Sequence, residues 1–153
     1  MTRAERAVLK LHEYIKNKSV LEVACGSAEF SVSAARIAAS VHCVDSDSHR
    51  LLAEVSECEN ITFRRMSAND IFYPNDSFDT VVMYNAAARL SDDLEKAVTE
   101  AMRVGGDTVV ISSLNTDKFI IFDELLPMLE REKISFRLML DEDLTGVVLH
   151  KRK

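Results

Sequence analysis

Apolar positions along the chain recur with two periods, and their alternation sketches the elements. Ala4, Ala7, Val8, Leu11, Tyr14 and Ile15 fall at helical spacing and predict an amphipathic helix ending near Asn17. Val20 to Ala24 is an apolar run that breaks at Cys25-Gly26-Ser27, which predicts a buried strand and a tight turn. Ala28 to Ala39 is rich in Ala and Ser, as expected of a helix pressed close against a sheet where large side chains would not fit. Val41 to Val44 is a second strand, closed by Asp45. Asp47 or Ser48 then offers an N-cap for a helix with Leu51, Leu52 and Val55 on its buried side, ended by Asn60.

The second half continues the same way. Ile61 to Met66 reads as a third strand, followed by a polar loop over residues 67–71 and a turn at Pro74-Asn75-Asp76-Ser77. Phe78 and Thr80 to Tyr84 form a strand apolar enough to be central. Ser91 is placed to cap a helix carrying Asp92 and Asp93 in its first turn and Leu94, Ala97, Val98, Ala101 and Met102 on one face, with Gly105-Gly106 as its end. Thr108 to Ser112 is a fifth strand, and Thr116 is a cap for a helix reaching Arg131 that Pro127 should kink. Ile134, Phe136, Leu138 and Leu140 alternate with Ser135, Arg137 and Met139 as a half-buried strand, and Gly146 to His150 returns after the turn Asp141-Glu142-Asp143. Strands separated by helices imply a mostly parallel α/β sheet, and the last two strands an antiparallel C-terminal hairpin.

Composition narrows the class. At 153 residues the chain is read as one domain, 1–153, and 47% hydrophobic content is that of a globular protein. No run has the length of a membrane span, and the charged N-terminus lacks a signal-peptide core, so a cytoplasmic protein is expected. A net charge of −6 disfavours nucleic acid. Arg3, Arg6, Lys10, Lys16 and Lys18 near one end, and Lys151-Arg152-Lys153 at the other, are read as solvated charges rather than a basic patch. The three cysteines have no C-x-x-C spacing and read as small buried residues. His12, His42, His49 and His150 show no ligand spacing, so no metal is expected.

The candidate chemistry lies between Ser19 and Asp47. Strand, tight turn, helix, strand is a right-handed parallel βαβ unit. Its first turn brings backbone N–H groups and a helix N-terminus to one point, and the acid ending the second strand lies beside it. Asp45 follows Gly26 by 19 residues, the spacing of a ribose-hydroxyl acceptor. A dinucleotide triad G-x-G-x-x-G would fall on Ala24, Gly26 and Glu29, so its third glycine is missing. Glu22, just before the turn, would repel a pyrophosphate and suits a ligand that carries an ammonium group.

An acid followed by G-x-G-x-G is the first motif of the class I S-adenosylmethionine-dependent methyltransferases, and Glu22 with Ala24-Cys25-Gly26-Ser27-Ala28 resembles it, with alanine at both flanking glycines. The segment S-A-N-D-I-F-Y-P-N-D-S-F-D-T-V-V resembles the matching loop and strand of the quinone-biosynthesis-type members. The resemblance implies a Rossmann-like, doubly wound seven-stranded sheet whose last strand is inserted antiparallel, and S-adenosylmethionine as cofactor. It implies cofactor contacts at Glu22, Ala24, Cys25, Gly26, Asp45, Ser46, Ser67, Ala68 and Asn85. Ser67 stands where the family carries the aspartate that meets the adenine amino group, with Asp70 as the alternative. Asn85 would touch the methionine portion, and Ala86-Ala87-Ala88 after it excludes the N-P-P-Y signature of amino-group methylases. Cys25 borders a helix N-terminus that would lower its pKa, yet reads as a packing residue, and Tyr14 reads as a core aromatic rather than a cover for the cofactor.

The function expected is methyl transfer to an acceptor that is a small molecule or a group on a protein, with no general base in view. Two other readings stay open at this point. One is a binding or regulatory protein on the same scaffold, which the alanines at 24 and 28 and the serine at 67 favour. The other is a nicotinamide-dependent enzyme, which Glu22 and the failed third glycine oppose.

Overall fold

A computed structural model describes residues 1–151, residue 91 by its backbone alone. The strands are β1 Ser19–Val23, β2 Ser40–Asp45, β3 Ile61–Arg65, β4 Phe78–Met83, β5 Gly105–Ser113, β6 Arg137–Leu140 and β7 Thr145–His150. They form one seven-stranded sheet in the order β3-β2-β1-β4-β5-β7-β6. β3, β2, β1, β4 and β5 are mutually parallel, and β7 enters antiparallel between β5 and β6. This is the doubly wound α/β sheet with a C-terminal hairpin that the sequence predicts.

Side-chain alternation along each strand feeds two cores. Leu21 and Val23 of β1 join Val81, Met83, Val109 and Ile111 on one face, under α5 (Leu94–Val104), a π-helix (Ile120–Leu125) and α6 (Leu126–Arg131). Val20 joins Val41, Cys43, Val82 and Val110 on the other, under α1 (Arg3–Lys10), α2 (His12–Ile15), α3 (Glu29–Ala34) and α4 (Glu54–Glu57). Val20, Leu21 and Val23 are wholly buried, each worth about 1.5–3 kcal/mol against exposure. Period two therefore assigns Glu22 to the face of Val20, beneath α3, as a buried acid in an apolar strand.

Several elements differ from expectation for local reasons. The first helix is interrupted at Leu11, whose backbone leaves the helical region, and it ends at Ile15, two residues before Asn17 with φ 60°. It opens with a capping box between Thr2 and Glu5. The helix expected after Asp47 shrinks to α4: the Asp47 carboxylate takes the His49 N–H instead of capping a helix, and the Leu52 N–H is bound to the Ser27 carbonyl at 3.1 Å. The third helical stretch is likewise shorter, ending at Ala34 and leaving residues 35–39 in turns.

Asp92 and Asp93 fall in a 3₁₀ turn, Ala87–Asp93, ahead of α5, and the predicted Ser91 cap falls on a side chain outside the described residues. Gly105 ends α5 by entering β5 directly with φ −82°. Thr116 does not cap the helix; it lies in a 3₁₀ turn, Asn115–Asp117, and the π-helix passes into α6 at Leu126, with Pro127 in the first turn of α6. In β6 the expected inward face is only half right. Ile134 and Phe136 pack on one core, but Leu138 and Leu140 are exposed and Met139 packs on the other core, because β6 is the sheet edge.

Three of the basic residues near the chain ends are paired: Arg6 meets Asp143 at 2.7 Å, Lys10 meets Asp141 at 3.2 Å, and Lys151 binds Asp76. Arg152 and Lys153 lie outside the described residues.

Candidate functional site

Strand order reverses at β1 and β4, which run side by side while their connections leave in opposite directions. A crevice opens at their carboxyl ends, the usual ligand position in open α/β sheets. The β1–α3 loop forms its floor. Ala24, Gly26 and Ala28 all adopt left-handed backbone, with φ of 57°, 58° and 66°. Each alanine so held costs roughly 1–2 kcal/mol relative to ordinary backbone. Strain of this kind persists only where surrounding structure imposes it, and it gathers at ligand sites.

Asp45 imposes much of it. Its Oδ2 accepts the Gly26 N–H at 2.8 Å and its Oδ1 the Asp47 N–H at 3.0 Å. The Cys25 N–H reaches the Val44 carbonyl at 3.0 Å, so the loop is sewn to the end of β2. A carboxylate has about four lone-pair sites, and Asp45 keeps capacity for further donors.

Glu22 is 1% exposed and caps the start of α3: Oε1 accepts the Ser31 hydroxyl at 2.7 Å and the Ser31 N–H at 3.2 Å. Burial pushes its carboxyl from 4.5 up to about 8, against the opposing pull of the Ser31 hydroxyl. At neutral pH it is a neutral acid, ready to ionise beside a cation. Cys25 departs from the lowered pKa expected at a helix N-terminus. A hydrogen bond to Cys43, burial and the neighbouring Glu22 push its thiol up, as befits a packing residue.

Two chambers open on this floor. One, of about 280 Å³, is lined by Ala24, Asp45, Ser46, Met66, Ser67, Ala68 and Asn69. The other, of about 470 Å³, is lined by Glu22, Cys25, Gly26, Tyr84, Asn85 and three arginines, Arg3, Arg50 and Arg89, with Glu29 and Asp117. Both volumes suit parts of a small-molecule site. Arg89 lines both, held between them by an Nη2–H bond of 2.8 Å to the Ala24 carbonyl. All nine residues singled out from the sequence thus line one or other chamber. Asp70 does not; it is exposed, while the Ser67 hydroxyl accepts the Asn69 N–H at 3.1 Å. Tyr14 stands elsewhere, in a tilted ring contact with His150 and with its hydroxyl accepting from Arg137.

Sequence reasoning passed over four residues. Asn69 lines the smaller chamber, and its Oδ1 is buried without a partner among the described residues. Arg3, Arg50 and Arg89 come from separate segments with no shared motif, and only the fold brings them together. Asn85, with φ 53°, gives its N–H to the Ser112 hydroxyl at 3.1 Å and so leaves β4 toward the larger chamber.

Residues 20–106 match a family model described as a methyltransferase domain. No curated protein matches the sequence. Among solved structures, the chain resembles an S-adenosylmethionine-dependent methyltransferase from Aquifex aeolicus, with 18% identity and a TM-score of 0.79 over 95% of this chain and 88% of that one. It also resembles the YcgJ protein from Bacillus subtilis, with 19% identity and a TM-score of 0.73 over 90% and 70%. A third likeness is to phosphoethanolamine N-methyltransferase 1 of Haemonchus contortus, in complex with phosphoethanolamine and S-adenosylhomocysteine, with 17% identity and a TM-score of 0.62 over 74% and 26%. At such identities the likeness is one of fold.

Proposed function

The chain belongs to the methyltransferase-domain family and carries the class I fold of S-adenosylmethionine-dependent methyltransferases; from that premise we propose that the two-chambered cleft holds S-adenosylmethionine and that the methyl goes to a small-molecule acceptor. The observation that carries this reading is the left-handed backbone at Ala24, Gly26 and Ala28, maintained at the crevice although two of the three residues resist it. Nothing in the packing of a bare α/β sheet calls for such a loop, whereas a ligand lying against exposed backbone does.

The residues suit this cofactor. Asp45 accepts the ribose hydroxyls, and Ser46 borders them. Ser67, the Ala68 N–H and the partnerless Oδ1 of Asn69 serve the adenine ring. Ala24, Cys25 and Gly26 offer backbone to the methionine portion, Glu22 faces its ammonium group, and Asn85 closes the far side. When bound, the cofactor supplies a methyl already activated by its sulfonium. The protein's task is then to hold the acceptor nucleophile in line with the departing sulfur, and such positioning is worth about 7–11 kcal/mol in well-oriented systems. Glu29 and Asp117 line the same chamber, and a carboxylate there is placed to accept a proton.

No helix among the described residues is long and apolar enough to cross a membrane. Free thiols at Cys25, Cys43 and Cys58 suit a reducing compartment, which supports a cytoplasmic location.

One observation favours a second reading, a non-catalytic binding or regulatory protein on this scaffold: Arg89 stands across the cleft on the Ala24 carbonyl. Calorimetric titration with S-adenosylmethionine, S-adenosylhomocysteine and NAD separates the readings. We expect both adenosyl ligands to bind, and Asp45→Ala to weaken them at least tenfold. A response to NAD alone, or to no ligand, sinks the enzyme reading.

A further inference from the structure

Two strands bound the sheet, and only one of them is protected against pairing with another chain. β3 ends one side with Thr62, Arg64 and Arg65 exposed, and two adjacent arginines repel a like strand. β6 ends the other side with Leu138 36% and Leu140 62% exposed. Residues 134–140 hold neither lysine nor proline, and Arg137 is their one charge. From this edge we infer that the chain forms a symmetric dimer, in which β6 pairs antiparallel with β6 of a second copy and carries the sheet across a twofold axis.

The existing ladder decides which backbone groups face outward. The Lys151 N–H is bound to the Asp107 carbonyl and the Asp141 N–H to the Leu144 carbonyl, so alternation turns the peptide groups of Arg137 and Met139 toward β7. Those of Leu138 and Leu140 face the open edge. A twofold axis at Met139 sets Leu138 against Leu140 of the second copy, and each such pair exchanges both N–H···O bonds. The same register sets Arg137 against Asp141 of the second copy, on both sides of the axis, and Met139 against itself. Opposite charges directly across a strand pair attract and fix its register. Arg137 gives one donor to the Tyr14 hydroxyl at 2.6 Å, and a guanidinium has five. Asp141 Oδ1 is filled by the N–H groups of Asp143 and Leu144, while Oδ2 faces Lys10 at 3.2 Å on the same side of the sheet as Arg137. An axis at Leu138 would set Arg137 against Met139, and one at Leu140 would set Leu138 against Glu142 and Met139 against Asp141. Only the axis at Met139 matches apolar with apolar and base with acid. Leu138 and Leu140 share the sheet face of Ile134 and Phe136, beneath the π-helix, and exposed Phe119 and Phe122 at that helix lie on the same side.

Sedimentation equilibrium and light scattering on the whole chain, over a wide range of concentration, test this. The mass should rise from one chain toward two and no further, because a twofold contact closes on itself. Leu138→Lys and Leu140→Lys, both at exposed positions, should each weaken association at least tenfold and leave the melting temperature of dilute protein unchanged. Register is read by cross-linking with oxidised glutathione in a Cys58→Ala background, which removes the one cysteine that is not buried. Met139→Cys should give a disulfide-linked dimer, since residues opposed in a non-hydrogen-bonded pair stand about 4.5 Å apart at Cα. Leu138→Cys and Leu140→Cys should not, because neither meets its own copy. A chain that stays monomeric at every concentration overturns the inference and leaves the edge to a different partner. A dimer that survives both lysine substitutions, or one that Met139→Cys fails to cross-link, overturns it as well.

Discussion

Replacing Ala24 by glycine should make the protein more stable, although a methyl group is lost. Ala24 holds φ 57°, a conformation that costs an alanine roughly 1–2 kcal/mol and a glycine almost nothing. Against this, glycine loosens the unfolded chain by about 0.4–1 kcal/mol. Ala24 is only partly buried, so its methyl forfeits less than the roughly 0.8 kcal/mol of a fully buried carbon. The balance is a gain of about 0.5 kcal/mol, or roughly 1–2 °C in melting temperature for a chain of this size.

Ala28 has the same backbone, with φ 66°, but is 0% exposed. The full burial loss and the small void cancel the relief there, so Ala28→Gly should leave stability unchanged or lower it slightly. Ala24→Val supplies the opposite sign, because a β-branched residue is a true outlier at positive φ; it should cost about 2 kcal/mol or more. Melting by calorimetry and urea titration of the three variants checks the set. If Ala24→Gly lowers the midpoint while Ala24→Val leaves it in place, the loop is not left-handed at that residue and the strain argument fails.

The buried acid makes a pH prediction of its own. The folded pKa of Glu22 is raised to about 8 from 4.5, so its contribution to stability is fully present below pH 4.5 and is lost as pH rises through about 8; wild type should melt progressively lower over that window relative to Glu22→Gln. At pH 7 the cofactor's ammonium should drive a proton off Glu22, seen as a binding enthalpy that varies with the ionisation enthalpy of the buffer, and a buffer-independent enthalpy rules out that contact. Gly146 faces β5 so closely that an added Cβ would sit 2.0 Å from the Ile111 carbonyl oxygen. Gly146→Ala should therefore cost about 3 kcal/mol or more, and an unchanged urea midpoint would contradict the β5–β7 pairing. Arg103 gives hydrogen bonds to the carbonyls of Ile71 and Tyr73 and to Glu100. Arg103→Ala should destabilise by about 2–3 kcal/mol and speed amide exchange in residues 71–75 ahead of the rest of the sheet.

Much of the architecture was legible because it is written in local periodicity. The apolar runs at 20–24, 41–44 and 80–84 can be satisfied only by burial on both faces of a sheet, and Gly26 between the first two marks the crossing to α3. The spacing of Gly26 and Asp45 likewise brought both to one end of adjacent parallel strands, where they share a 2.8 Å hydrogen bond. Periodicity failed where a distant backbone group took over, as at Leu52, whose N–H is held by Ser27 rather than by a helix, or where a strand lay at the sheet edge and neither face was obliged to be buried, as at Leu138 and Leu140. The meeting of three arginines in the larger chamber was invisible for a different reason. Arg3, Arg50 and Arg89 carry no mutual pattern along the chain, and their meeting depends on strand order and on where α1 and the 3₁₀ turn lie over the carboxyl ends of β1 and β4. Local sequence specifies elements because a helix or strand is judged by its own neighbours; a site is judged by groups far apart in sequence, and only the packed tertiary structure sets their distances, burial and protonation.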